Sequence, residues 1–166
     1  LYKGIPFIEH MIDRLAIHGI IDLFVRARGD LAVDHHHTVE DVGLTLGQAL
    51  REALGDKLGI RRFGSALCPL DEALVQAVVD FSGRPFLAYH LQIKAARVGS
   101  FDTELVHDFM LALSNQAGIN LHLHQMQGRN AHHIIEAAFK SLARAIDAAK
   151  QVDPRVQGVP STKGAL

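Results

Sequence analysis

The stretches His36-His37-Thr38-Val39-Glu40 and His132-His133-Ile134-Ile135-Glu136 repeat one pattern, a histidine pair and a glutamate. Imidazole and carboxylate are donors that divalent first-row metals take from proteins. Helix positions three and four apart share a face, so His36 and His37 can each approach Glu40, and His132 and His133 can each approach Glu136. Adjacent histidines project about 100° apart on a helix, which suits two ions better than one. A single copy would read as a polar helix start with its acid near the positive end of the helix dipole. Two copies at one spacing, in a chain with 11 histidines, point to a two-metal site. Mixed nitrogen and oxygen donors suit Mn2+, Fe2+ or Zn2+, and octahedral ligation leans to manganese.

Further donors are expected to complete the set. His10 is the foremost candidate, on a helix of the first half, and its counterpart in the second half falls near His107 or Asp108. His90, His122 and His124 lie in strand-patterned segments and read as structural, and the repeat does not require His35. Arg62, Arg84 and the run Ser161-Thr162-Lys163-Gly164 put cations and hydroxyls in loops, a chemistry suited to an oxyanion such as phosphate. Taken singly, each is an ordinary solvated surface residue.

The elements that position these groups follow from periodicity. Pro6 opens a helix over Phe7–His18, with Gly19 just past its end. Ile20–Arg28 alternates as a half-buried strand, Gly29-Asp30 turns, and Leu31–Val33 is extended. Glu40–Leu54 is a helix capped by Gly55, in which Gly43 and Gly47 require close packing by another element. Asp56–Arg62 is a basic loop, and Gly64–Leu70, Ala73–Phe81 and Phe86–Ile93 are strands. Thr103–Gln116 is a helix capped by Thr103 or Asp102, Ile119–Gln127 a strand, and the second histidine pair opens a helix to about Lys150. The tail from Val152 has no periodicity and reads as a loop or arm.

The 166 residues, 48% hydrophobic, make one domain of two halves, approximately 1–60 and 61–166. The halves match except that the first lacks a leading hairpin, so about two strands are expected upstream of Leu1. A net charge of −1 without a basic run excludes a nucleic-acid binder, and no apolar run reaches a membrane span. The lone Cys68 fits a reducing, cytoplasmic location.

The segments 34–43 and 128–137 resemble the two signature motifs of the imidazoleglycerol-phosphate dehydratase family. So do Glu9-His10-Met11, His18-Gly19, Arg62-Phe63-Gly64, Ser82-Gly83-Arg84-Pro85, Phe101-Asp102-Thr103-Glu104-Leu105 and Pro160-Ser161-Thr162-Lys163-Gly164, in order along the chain. Glu9 stands where Asp is commoner in the family, and His35 where an acidic residue is common.

The resemblance implies an α+β fold of duplicated β-β-α-β-α half-domains (ribosomal protein S5 domain 2-like) with the sheet packed against helices. It implies a manganese-dependent lyase of histidine biosynthesis, with two Mn2+ per active site, that dehydrates imidazole glycerol phosphate to imidazole acetol phosphate. The implied assembly is a homo-oligomer of 24 subunits with metals at interfaces. By motif, His10, His36, His37, Glu40, Asp108, His132, His133 and Glu136 are implied metal ligands, Asp108 standing where the family usually has His or Glu. Arg62, Arg84, Ser161, Thr162, Lys163 and Lys140 are implied to bind substrate, and Glu40, Glu136 and His18 to serve catalysis. The family's proton-transfer glutamate would lie upstream of Leu1, so the alternative expectation is a catalytically impaired or non-catalytic metal-binding paralogue.

Overall fold

The computed structural model describes residues 4–161. Its major elements are four helices, α1 (Pro6–Gly19), α2 (His36–Leu54), α3 (Leu105–Ala117) and α4 (Ala131–Lys150), with strands β1 (Phe63–Leu70), β2 (Ala73–Asp80), β3 (Phe86–His90), β4 (Arg97–Val98), β5 (Phe101–Asp102) and β6 (Asn120–Gln127). β1, β2, β6 and β3 form one sheet in that spatial order, antiparallel except for the parallel pair β6–β3. The second half thus follows the expected order, with β3 ending at His90, short of the expected Ile93, and adds a small β4–β5 ladder that the periodicity does not announce.

One face of this sheet is apolar and α4 lies on it. Ala73, Val75, Ala77 and Val79 alternate inward along β2, as do Leu121 and Leu123 along β6. The helix side answers with Ile135, Ala138, Phe139, Leu142 and Ile146. At Gly64 the strand comes so close that a Cβ would stand 2.0 Å from the Ala145 carbonyl oxygen. Each large buried aliphatic or aromatic side chain contributes about 1.5–3 kcal/mol to such a core.

The helices pair across the halves, α1 with α4 and α2 with α3. Gly43 and Gly47 explain the second pairing: a Cβ at either would meet α3 backbone, Phe109 O at 2.9 Å and Leu113 O at 2.6 Å. The expected close packing at these glycines is therefore present.

Several local expectations are corrected. Ile20–Arg28 is not a strand, because it has no ladder partner among the described residues. Its alternation persists all the same: Ile21, Leu23, Val25 and Ala27 pack on the core, and Asp22, Phe24, Arg26 and Arg28 face out. Leu31–Val33 is a turn closed by the Val33 amide on Asp30 O at 2.8 Å. α1 includes Gly19, and the left-handed C-cap is Ile20 (φ 49°), a costly conformation for a β-branched residue. Lys150 of α4 offsets it by donating to the carbonyls of Gly19 and Ile20. Neither Thr103 nor Asp102 caps α3. The Thr103 hydroxyl donates to Ala95 O at 2.6 Å, and Asp102 accepts from Arg97 Nε at 2.6 Å. Lys57, in the supposed basic loop, is buried and donates to Phe81 O.

Candidate metal centre

Each histidine–glutamate pattern begins a helix, and each helix is started by a polar residue two positions before its first histidine. Asp34 Oδ1 accepts from the His36 amide at 2.9 Å. Asn130 Oδ1 accepts from the His133 amide at 3.2 Å. Such side-chain acceptors satisfy amides that a helix start leaves without intrahelical partners.

The α1–α4 pairing then builds one cluster. Positions 10, 14 and 18 of α1 and 132, 136, 140 and 144 of α4 are spaced by four residues, so each series forms one helix face. His10 Nε2 and His132 Nε2 lie 3.2 and 3.1 Å from the same oxygen, Glu136 Oε2. The three donors stand within 4.8 Å of one another. Lys140 Nζ holds the other oxygen, Oε1, at 2.7 Å. Burial pushes the Glu136 carboxyl up, but the Lys140, His10 and His132 contacts overcome it and hold the pKa at about 2. The carboxylate is ionised, oriented, and has one oxygen turned towards two imidazoles.

The α2–α3 pairing builds the second cluster, more open than the first. His36 Nδ1 is 3.3 Å from Asp108 Oδ2, and His36 Nε2 is 3.9 Å from Glu40 Oε2. His107 approaches the other Asp108 oxygen at 3.3 Å and sets its edge on the Tyr89 ring. Burial, then Asp108, pushes the Tyr89 hydroxyl pKa up, so it stays protonated.

The second histidine of each pair leaves its glutamate. His37 Nδ1 faces Asp30 Oδ2 at 3.4 Å, and His133 Nδ1 faces Glu72 Oε2 at 2.7 Å. The His132 and His133 rings are nearly perpendicular, with centroids 6.3 Å apart. Glu72 also accepts from the amides of Arg129 and Asn130. The His133 bond first, then the Asn130 amide, holds the Glu72 carboxyl at about 2. Neither Asp30 nor Glu72 stands out in the sequence: Asp30 belongs to a turn signal, and Glu72 falls between two strand-patterned stretches.

His18 lies two turns from His10 on the same face of α1. Burial, then Lys140, Arg14 and Arg144, lowers its pKa, with Glu136 opposing, so its imidazole is neutral at pH 7. Arg14 Nε is buried without a hydrogen-bond partner among the described residues.

The oxyanion group sits elsewhere. Arg62 grips Asp80 through Nε at 2.6 Å and Nη2 at 3.1 Å, and its Nη1 donates to the carbonyl of Pro160 at 2.8 Å, the residue just before Ser161. Arg84 lies in the β2–β3 loop, its carbonyl accepting from Asn120 Nδ2. In the sheet register Phe63, Asp80, Asn120 and Phe86 form one end row, so Arg62 and Arg84 share that end. The Arg62 amide bonds Ala149 O at the C-terminal end of α4. Positions 132 and 149 are separated by about 26 Å of helix at 1.5 Å per residue. Thr162 and Lys163 lie outside the described residues. His90, His122 and His124 lie on β3 and β6 away from both clusters, His90 and His124 stacked at 4.8 Å. His35 occupies the N-cap position of α2 without a capping side-chain bond.

A family model described as imidazoleglycerol-phosphate dehydratase matches residues 3–146. An imidazoleglycerol-phosphate dehydratase of Moorella thermoacetica is 58% identical over 164 residues, covering 99% of this chain and 84% of the relative. One of Geobacter metallireducens is 56% identical, covering 98% and 84%. Among solved structures, the Staphylococcus aureus imidazoleglycerol-phosphate dehydratase superposes with a TM-score of 0.85 at 39% identity, covering 90% of this chain and 85% of that one. The Pyrococcus furiosus structure gives 0.88 at 38% identity, covering 100% and 89%.

Proposed function

This chain belongs to the imidazoleglycerol-phosphate dehydratase family, a family of hydro-lyases, and we propose that it catalyses the metal-dependent dehydration of imidazole glycerol phosphate to imidazole acetol phosphate in histidine biosynthesis. The observation that carries the metal dependence is the convergence of His10, His132 and Glu136, two imidazoles and a carboxylate from the two halves of the chain, within 4.8 Å. This donor set fits Mn2+, and two ions per active site match the two clusters. His10, His132 and Glu136 would hold one, and His36, Glu40 and Asp108 the other, with His37 and His133 as further donors. When bound, the ions supply Lewis-acid polarisation of the substrate's imidazole ring.

The chain's own residues take the remaining tasks. Lys140 holds one oxygen of Glu136 and helps keep it ionised, and in this reading Lys140 and His18 would both face the substrate. A neutral His18 is in the form that accepts a proton. Arg62, Arg84, Ser161, Thr162 and Lys163 would clamp the phosphate and hold the substrate in register. Because the Arg62 end of α4 is about 26 Å from the His132 end, one small substrate does not span both. The arrangement therefore favours a homo-oligomer, for which 24 subunits is our reading, with the phosphate group of one chain beside the metal group of another. A reducing, cytoplasmic location fits the lone Cys68.

The direct test is to incubate the assembled, manganese-loaded protein with imidazole glycerol phosphate. Imidazole acetol phosphate is expected; no turnover from a correctly assembled, metal-loaded particle overturns the reading.

A further inference from the structure

His133 turns away from Glu136 towards the hairpin between β1 and β2, where Glu72 waits 61 positions away in sequence. Both oxygens of Glu72 are engaged. Oε2 lies 2.7 Å from His133 Nδ1, and Oε1 accepts from the Arg129 amide at 3.2 Å and the Asn130 amide at 2.8 Å. Those two amides belong to the loop that leads into α4, and Asn130 also caps the His133 amide. Ring and backbone of His133 are thus fixed by one junction. An ionised carboxylate only accepts hydrogen bonds, so Nδ1 is the ring atom that donates to Glu72, and the tautomer with its hydrogen there keeps its lone pair on Nε2.

We propose that Glu72 is the positioning residue of His133, locking the Nδ1–H tautomer and the ring orientation so that Nε2 is the metal donor. The proposal rests on the reading of His133 as a metal ligand. A carboxylate behind a ligating imidazole fixes its tautomer and raises its basicity. The first copy of the pattern offers an independent parallel. His37 engages the same nitrogen, Nδ1, with Asp30, which lies in the loop before α2 and not in a β-hairpin. Two unrelated segments supply a carboxylate to the same ring atom. Of the two contacts, that of Glu72 is the shorter and the better anchored. At His133 the other nitrogen, Nε2, stands 3.8 Å from the exposed Asp71 Oδ2, beyond hydrogen-bond distance, so it is open to another partner.

The experiment is titration of Mn2+ into the metal-stripped full chain, read by calorimetry, for wild type, Glu72→Gln, Glu72→Asp and His133→Asn, with thermal unfolding of each metal-free protein. Glutamine keeps the length and can still accept from the Arg129 and Asn130 amides, but it turns an NH2 towards Nδ1. That favours the Nε2–H tautomer, which has no lone pair to offer. Glu72→Gln is expected to weaken the affected site by about 10–100-fold, with metal-free stability unchanged and part of the affinity recovered in Glu72→Asp. Wild-type affinity in Glu72→Gln alongside weakened binding in His133→Asn overturns the role of Glu72 alone. Wild-type affinity in His133→Asn overturns the ligand reading on which it rests. If Glu72→Gln does not fold, Glu72→Asp carries the test, and wild-type affinity with wild-type stability in that variant overturns the proposal.

Discussion

Around Glu136 the carboxylate is 11% exposed, with two imidazoles at 3.1 and 3.2 Å and an ammonium at 2.7 Å. Around Glu40 the carboxylate is 47% exposed and its imidazole, His36, is 3.9 Å away. The five-residue pattern is the same, so the difference comes from what packs about it. Four positions after Glu136 stands Lys140, and four after Glu40 stands Leu44, which brings no counter-charge. α4 lies on a four-stranded sheet, whereas α2 shares cavities with the unpaired segment around Val25 and Ala27. Position 134 is a buried isoleucine, and its counterpart Thr38 buries a hydroxyl without a partner among the described residues. A repeated motif thus specifies donor types and spacing, and the neighbouring elements set how tightly those donors are held.

The largest expected effect comes from the carboxylates themselves. Glu136→Gln should weaken Mn2+ binding by more than about 100-fold, beyond the cost of losing an orienting partner, and Glu40→Gln should cost less. Equal losses in a metal titration would break the contrast between a held and an open cluster. Next, Gly47→Ala forces a methyl against Leu113 O, and should destabilise by about 1–3 kcal/mol. It should also disturb His36 and Asp108 while leaving His10, His132 and Glu136 intact, so one metal should be lost and one kept.

Lys140→Met should cost about 1–2 kcal/mol near neutral pH, less than the breaking of a fully buried pair. The sign follows from linkage. Glu136 titrates near 2 in the folded state against an ordinary 4.5, so its contribution is present above 4.5 and lost as pH falls towards 2. The difference in stability between wild type and Lys140→Met, both metal-free, should therefore be full at pH 6 and close on acidification. A pH-independent gap would mean that Lys140 acts through packing. The smallest effect is Thr38→Val, which removes the orphaned hydroxyl and should stabilise by about 1 kcal/mol in chemical denaturation; a loss would show that the hydroxyl has a partner.

Much of this was legible in the sequence because it is local. The four long helices follow from 3.6-residue periodicity and from Pro6, Gly55 and Gly118 at their ends. β2 and β6 follow from alternation, and the duplication narrows the counterpart of His10 to His107 or Asp108, neighbours on α3. What was not legible depends on pairing through space. Glu72 meets His133, and Arg62 meets Asp80, only once the β1–β2–β6 register and the α4 docking exist. Ile20–Arg28 shows the reverse failure. Its alternation records burial on one side, which the structure keeps, but alternation alone cannot supply the hydrogen-bonding neighbour that makes a strand.

The length of α4 has one more consequence. With His132 at one end and Arg62 held against the other, a chain disabled at the first and a chain disabled at the second are defective in different places. Under the oligomeric reading, co-assembling His132→Asn chains with Arg62→Met chains should restore turnover by complementation, because some sites would draw a sound metal end and a sound phosphate end from different chains. Activity would then be a property of neighbours, and diluting the particle to separate chains should extinguish it before any helix unfolds.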